Sequence, residues 1–123
     1  MIELKFKKEI IVWLLTGCVL IAAMVIIGGI TRLTGSGLSI TQWKLIHGTI
    51  PPINEQQWNE EFESYKHIPQ YQILNYNYTL DDFKKIYFWE YLHRLIGRII
   101  GIIFIIPFIF FYFKRLHIFL IAF

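Results

Sequence analysis

The chain has 123 residues and a formal net charge of +3, with 55% hydrophobic and only 17% charged residues. Soluble domains carry about 25% charged residues, so this composition favours a membrane protein. The single cysteine excludes a disulfide scaffold, and the length excludes two full-sized domains.

The first predicted element is a transmembrane helix over residues 10–30, a stretch without a charged residue. A bilayer core of about 30 Å is crossed by about 20 helical residues. A cleaved signal peptide is the alternative, but its apolar region would be about 7–15 residues long and end in small residues. This run is longer and is followed by Thr31-Arg32-Leu33. We therefore predict a retained membrane helix, preceded by a basic N-terminus at residues 1–9.

The outer loop, residues 31–85, contains several local signals. Glycines at 35 and 37 predict a turn, and Pro51-Pro52 predicts a break. Asn54 is expected to cap a helix over about residues 55–66, whose aromatic face consists of Trp58, Phe62 and Tyr65. This helix is predicted either to rest on the membrane surface or bundle top, or to form a lid over a site. Pro69 is expected to end the segment, and 71–78 to be coil.

A second apolar run, residues 86–113, predicts another transmembrane helix, with the helical pattern beginning at Leu80 after an N-cap at Thr79. Basic residues precede the first span and follow the second at Lys114-Arg115. The positive-inside rule therefore predicts a cytoplasmic N-terminus and an outer, periplasmic loop. We expect residues 114–123 to form a cytoplasmic turn and the start of a truncated third helix. An aromatic belt is predicted at the outer boundary: Trp43, Trp58, Tyr87, Phe88, Trp89 and Tyr91.

The chemical signal lies in the second span, where polar and small residues share one half of the predicted helix. They are Glu90, His93, Arg94, Gly97, Arg98 and Gly101. At about 100° per residue, the opposite face carries leucines and isoleucines. Ionisable residues inside a span cost at least about 2.5 kcal/mol each on insertion scales, and they mark functional sites by default.

Three explanations of this face remain open at the level of residue spacing. Haem docking would use His93 as an iron ligand, the two glycines as a trough for a flat macrocycle and the arginines for propionates. Helix–helix packing would use the same glycines as a close-contact motif and the Arg–Glu pairs as structural bonds. Another metal site or a proton path is the third. The other histidines, His47, His67 and His117, are interpreted as loop or turn residues.

Several strings of the sequence together resemble the N-terminal part of heme A synthase, in the branch without a loop cysteine pair. The strings are GGITRLTGSGLS at 28–39, TQW at 41–43, Gly48, Pro51-Pro52, Trp58, Phe62, YK at 65–66, Pro69, Asn75, FK at 83–84 and EYLHRLIGR at 90–98. The resemblance covers almost the whole chain in register. It identifies the chain as a member of the heme A synthase family.

The resemblance implies an eight-helix membrane enzyme that oxidises a ring methyl of haem O to a formyl group, giving haem A. It implies haem B as a cofactor, with Glu90 as the catalytic residue near the reacting methyl and His93 as a haem iron ligand. Arg94, Gly97, Arg98 and Gly101 would then complete the cofactor-binding face. Implied partners are membrane lipid, haem O, haem O synthase and the assembly of cytochrome oxidase, with no nucleic acid. The implied location is the bacterial or mitochondrial inner membrane.

The chain departs from the family pattern in size. We predict an all-α membrane protein of two transmembrane helices plus the start of a third, equivalent to the N-terminal piece of the eight-helix bundle. The second histidine of the N-terminal half and the whole C-terminal half with its haem ligands would be missing, so this chain alone is expected to be inactive unless a second polypeptide supplies them. The alternatives are a non-catalytic haem-binding membrane hairpin and an inactive remnant of a split gene.

Overall fold

The computed structural model describes residues 6–42 and 49–121, with only the backbone described for 116–121. Its helices are α1 (Lys7–Leu33), α2 (Glu55–Lys66), α3 (Pro69–Ile73) and α4 (Leu80–Ile121). The described residues include no β-strand, so the all-α prediction is confirmed. The chain divides into two compact units, one of Met1–Met24 and Ile96–Phe123 and the other of Val25–Leu95. We call them the first and the second unit.

Two helices are long and apolar enough to cross a membrane: α1, and the Leu80–Arg115 part of α4. Large aliphatic side chains on both remain open to the surroundings, among them Val19 (68% exposed) and Ile106 (63% exposed). Exposed apolar surface along whole helices would be costly in water and is favourable in lipid. Together with the relatives reported below, this identifies a membrane protein.

In the first unit, a tryptophan side chain bonds a backbone carbonyl that a proline leaves without its usual helical donor. Pro107 lies inside α4 and has no N–H, so the helix cannot supply the usual donor to the carbonyl of Ile103. The indole Nε1 of Trp13 on α1 donates to that oxygen at 2.8 Å. Since backbone groups inside a bilayer have no water to bond, this contact removes a cost that Pro107 creates.

The core of the second unit is aromatic and lies where α2 packs on the beginning of α4. Tyr65 and Phe83 are fully buried, and Phe62 and Tyr87 are nearly so. Their rings meet at centroid distances of 5.2–5.8 Å, in tilted and edge-on arrangements that aromatic quadrupoles favour. The helix predicted at 55–66 therefore packs on α4 within the second unit, and its position at the membrane surface or bundle top, or as a lid, stays a prediction.

Local capping explains where the outer helices begin. The side chain of Asn54 accepts from the backbone N–H of Gln57 at 2.9 Å, which fixes the start of α2. At the start of α4, the Asp82 carboxylate accepts from the backbone N–H of Thr79 at 3.1 Å, and the Thr79 hydroxyl faces the N–H of Asp82. This is the reciprocal arrangement of a capping box, with Asp in place of Glu.

Three local expectations differ from the structure. Pro69 begins α3 instead of ending the segment, because its fixed φ and missing N–H suit the first turn of a helix. The backbone of α4 continues to Ile121, so the turn expected after Arg115 is absent; neither Gly nor Pro follows Pro107 to interrupt the helix. Residues 71–73, expected as coil, are the end of α3. Trp58 and Tyr87 form a ring pair 5.0 Å apart within the second unit, and their place in an aromatic belt stays a prediction. Trp43 lies outside the described residues.

Candidate functional site

Glu90 is the most deeply buried charged side chain that the structure describes, with 3% of its surface exposed. It lies on α4, in the second unit. Its Oε1 accepts from Nη2 of Arg94, one helical turn later, at 2.6 Å. A buried carboxylate must be paired and hydrogen-bonded, and Arg94 supplies the charged part of that requirement.

The other carboxylate oxygen is bound by the loop that follows α1. The Ser39 hydroxyl donates to Oε2 at 2.7 Å and the backbone N–H of Ile40 donates to it at 2.8 Å. Both residues are buried. Neither residue was predicted for the site, although Ser39 ends the GGITRLTGSGLS string and Ile40 follows it. Contacts between positions 50 and 51 residues apart leave no local signal in the sequence.

His93 lies three residues after Glu90 and faces α1 at Gly28. A Cβ atom added to Gly28 would lie 3.2 Å from Nε2 of His93 and 3.5 Å from its Cδ2. Real Cβ contacts are seldom that close, so the absence of a side chain at Gly28 preserves space at the imidazole nitrogen. Gly28 is the first residue of the GGITRLTGSGLS string, and its sequence position alone predicts no role for it.

The remaining predicted site residues, Gly97, Arg98 and Gly101, lie farther along α4 in the first unit. A Cβ at Gly97 would lie 3.2 Å from the terminal methyl of Met24 on α1, whereas nothing lies within 4 Å at Gly101. Gly97 therefore lies at a close approach of α1 and α4 within the first unit. Whether the two glycines serve packing or a flat ligand stays a prediction. Arg98 is half-buried on the same helix.

The family model COX15-CtaA, described as cytochrome oxidase assembly protein, matches residues 11–120. The chain belongs to this family. The match takes in both candidate spans apart from the first turn of α1, and it includes every candidate site residue.

Curated relatives give a more specific name. The chain is 56% identical over 114 residues to a heme A synthase of Flavobacterium psychrophilum, covering 91% of this chain and 34% of the relative. It is 54% identical over 106 residues to one of Nitrosomonas eutropha (86% and 30%) and 56% identical over 107 residues to one of Rhizobium rhizogenes (85% and 29%). The chain thus spans about a third of the length of these relatives. No solved structure matches it.

The name of these relatives implies that haem is involved, and the residues around His93 fit that group in part. His93 supplies an imidazole of the kind that can bind haem iron, and its ring packs against α1 at Gly28. Arg94 is paired with Glu90 in this structure, and its predicted role toward a propionate stays a prediction. Among the described residues no group of three or more His, Cys, Asp or Glu side chains gathers as for a metal ion. His47 and the side chain of His117 lie outside the described part.

Proposed function

We propose that this chain supplies the Glu90–His93 part of a heme A synthase, the enzyme that oxidises the haem O ring methyl to a formyl group. The 50–56% identity to relatives that carry this name supports the activity. Because the chain spans about a third of their length, the conversion is assigned to a protein that also contains the remaining helices.

The observation that carries the proposal is the buried carboxylate of Glu90, with the His93 imidazole three residues later on the same candidate membrane helix. Burying Glu90 is unfavourable unless it is compensated, and three donors do so. Such an arrangement is expensive to maintain in lipid and is typical of a functional site.

The proposed roles divide between binding and orientation. His93 holds the haem iron through its imidazole, with Gly28 keeping the nitrogen free of a neighbouring side chain. Arg98 and Gly101 extend the binding face farther along α4, and haem B supplies the redox chemistry when bound. Glu90 is a hydrogen-bond acceptor next to the reacting methyl, in a position fixed by Arg94 and the loop after α1.

We also propose a location and partners. Basic residues precede the first span and follow the second, so the N-terminus lies in the cytoplasm and residues 31–85 lie on the outer side of a bacterial or mitochondrial inner membrane. The substrate haem O comes from a haem O synthase. The product haem A serves cytochrome oxidase assembly, for which the matching family is named.

A chimaera tests the activity. Residues 11–120 replace the matching segment of the Flavobacterium psychrophilum relative, in cells that lack their own heme A synthase and produce haem O. We expect haem A in extracted pigments, measured by chromatography. Glu90→Gln should abolish it, and the control Glu55→Gln, which changes an exposed glutamate on α2, should not.

Two outcomes would contradict the proposal. A chimaera that inserts into the membrane but makes no haem A would exclude the activity. Equal haem A yield from Glu90→Gln and Glu55→Gln would exclude the role of Glu90. If haem A is absent but the chain binds haem through His93, the non-catalytic haem-binding hairpin becomes the better account.

A further inference from the structure

The two oxygens of Glu90 have different surroundings. Oε2 accepts two hydrogen bonds, from the Ser39 hydroxyl at 2.7 Å and the Ile40 N–H at 2.8 Å. Oε1 accepts one, from Arg94 at 2.6 Å. A carboxylate offers about four acceptor positions, two on each oxygen. The described residues donate two hydrogen bonds to Oε2 and one to Oε1, so Oε1 is the less occupied oxygen.

The hydroxyl of Ser39 has one proton and three acceptors within reach. They are Oε2 of Glu90 at 2.7 Å, the Ser36 carbonyl at 2.9 Å and the Ile86 carbonyl at 3.3 Å. The carboxylate is the nearest and the only one that carries a formal charge, and charge-assisted bonds are about twice as strong as neutral ones. The proton of Ser39 is therefore directed to Glu90.

The loop that presents Ser39 is itself fixed at several points. Gly35 adopts φ +64°, in the left-handed region that favours glycine. The N–H of Ser36 donates to the Thr31 carbonyl at 2.9 Å, and the Gln70 side chain donates to the Gly35 carbonyl at 2.8 Å. Gln70 in turn accepts from the buried Tyr65 phenol at 3.2 Å. The aromatic core thus holds the loop in place.

From these contacts we propose that Ser39 is a positioning residue for Glu90. Together with the Ile40 N–H it occupies Oε2, so that Oε1 is the oxygen presented to the substrate. The functional part of this inference rests on the proposed role of Glu90, whereas the hydrogen bond itself can be tested without any haem.

The test uses the full chain in detergent micelles, labelled with ¹³C at the glutamate carboxyl carbon. The Glu90 resonance is assigned by its absence in Glu90→Gln. We expect Ser39→Ala to displace this resonance, and Ser39→Thr, which keeps the hydroxyl, to restore it. Ser36→Ala is the matched control, because Ser36 is an equally buried serine of the same loop that bonds Thr34 and not Glu90. The Ile40 amide resonance reports whether the loop stays docked.

The proposal is supported if Ser39→Ala moves the Glu90 resonance while the Ile40 amide remains observed, and Ser36→Ala leaves the Glu90 resonance in place. It is overturned if the Glu90 resonance stays in place, if Ser36→Ala moves it equally, or if the Ile40 amide is lost together with it, since the loop would then have undocked as a whole.

Activity of the chimaera separates the two proposals. Loss of a hydrogen bond to a charged group is expected to lower haem A formation by about tenfold in Ser39→Ala, and Ser36→Ala should retain it. Full haem A formation in Ser39→Ala would refute the positioning role and leave the proposed function intact. A chimaera without any haem A would refute the proposed function and leave the measured hydrogen bond intact.

Discussion

At the scale of single residues, Gly28 and His93 are the pair that most directly links packing to ligand binding. A methyl group at Gly28 would lie 3.2 Å from Nε2, closer than ordinary van der Waals contact allows. The imidazole would have to move, and with it any iron that it binds. Gly29, the next residue, has nothing within 4 Å and provides a matched position.

We therefore predict that Gly28→Ala weakens haem binding by about tenfold or more, since overpacking of a tight contact costs roughly 1–3 kcal/mol. Gly29→Ala should bind haem as the unchanged chain does. The measurement is a titration of haem into the purified chain, followed by the Soret absorbance. Equal affinities of the two variants would show that Gly28 does not govern access to His93.

At the scale of helices, the Trp13 indole replaces the backbone donor that Pro107 cannot supply to the Ile103 carbonyl. Trp13→Phe retains an aromatic ring against Phe104 and Phe111 but removes the donor to the Ile103 carbonyl. We expect this change to lower the free energy of unfolding by about 1 kcal/mol, in the range of hydrogen bonds inside membranes.

Pro107→Ala supplies the control, because an alanine N–H can bond the Ile103 carbonyl within the helix. In the Pro107→Ala background, Trp13→Phe should lower the free energy of unfolding only by the amount due to the change in ring packing. The double-mutant cycle is measured by unfolding in mixed micelles. An identical cost of Trp13→Phe in both backgrounds would contradict this account of the contact.

Much of the helical structure follows from short-range patterns, and much of the site does not. The Asn54 cap, the aromatic spacing of α2 and the Thr79 cap are local, and the structure has each of them. The hydrogen bond from Ser39 to Glu90 and the close approach of Met24 to Gly97 depend on which segments meet in the fold. Tertiary packing decides these contacts, so no single window of sequence contains them. The ring pair of Trp58 and Tyr87 likewise depends on the fold, because it forms where α2 and α4 meet.

At the scale of the whole molecule, the proposed topology gives a prediction about access from each side of the membrane. Cys18, the one cysteine of the chain, is changed to serine, and single cysteines are placed at Lys8 and Gln56. Since residues 31–85 are proposed to lie outside, a membrane-impermeant maleimide should label Gln56→Cys in intact spheroplasts. Lys8→Cys should react only after lysis. The reverse pattern would contradict the proposed orientation.

The central claim is that the Glu90–His93 face of α4 binds haem through His93. The most direct measurement is the absorption spectrum of the purified chain with haem, for the unchanged sequence, His93→Ala and His67→Ala. His67 is an exposed histidine at the end of α2 and serves as the control. We predict an imidazole-ligated haem spectrum that is lost in His93→Ala and retained in His67→Ala. The same spectrum in all three proteins would contradict the account.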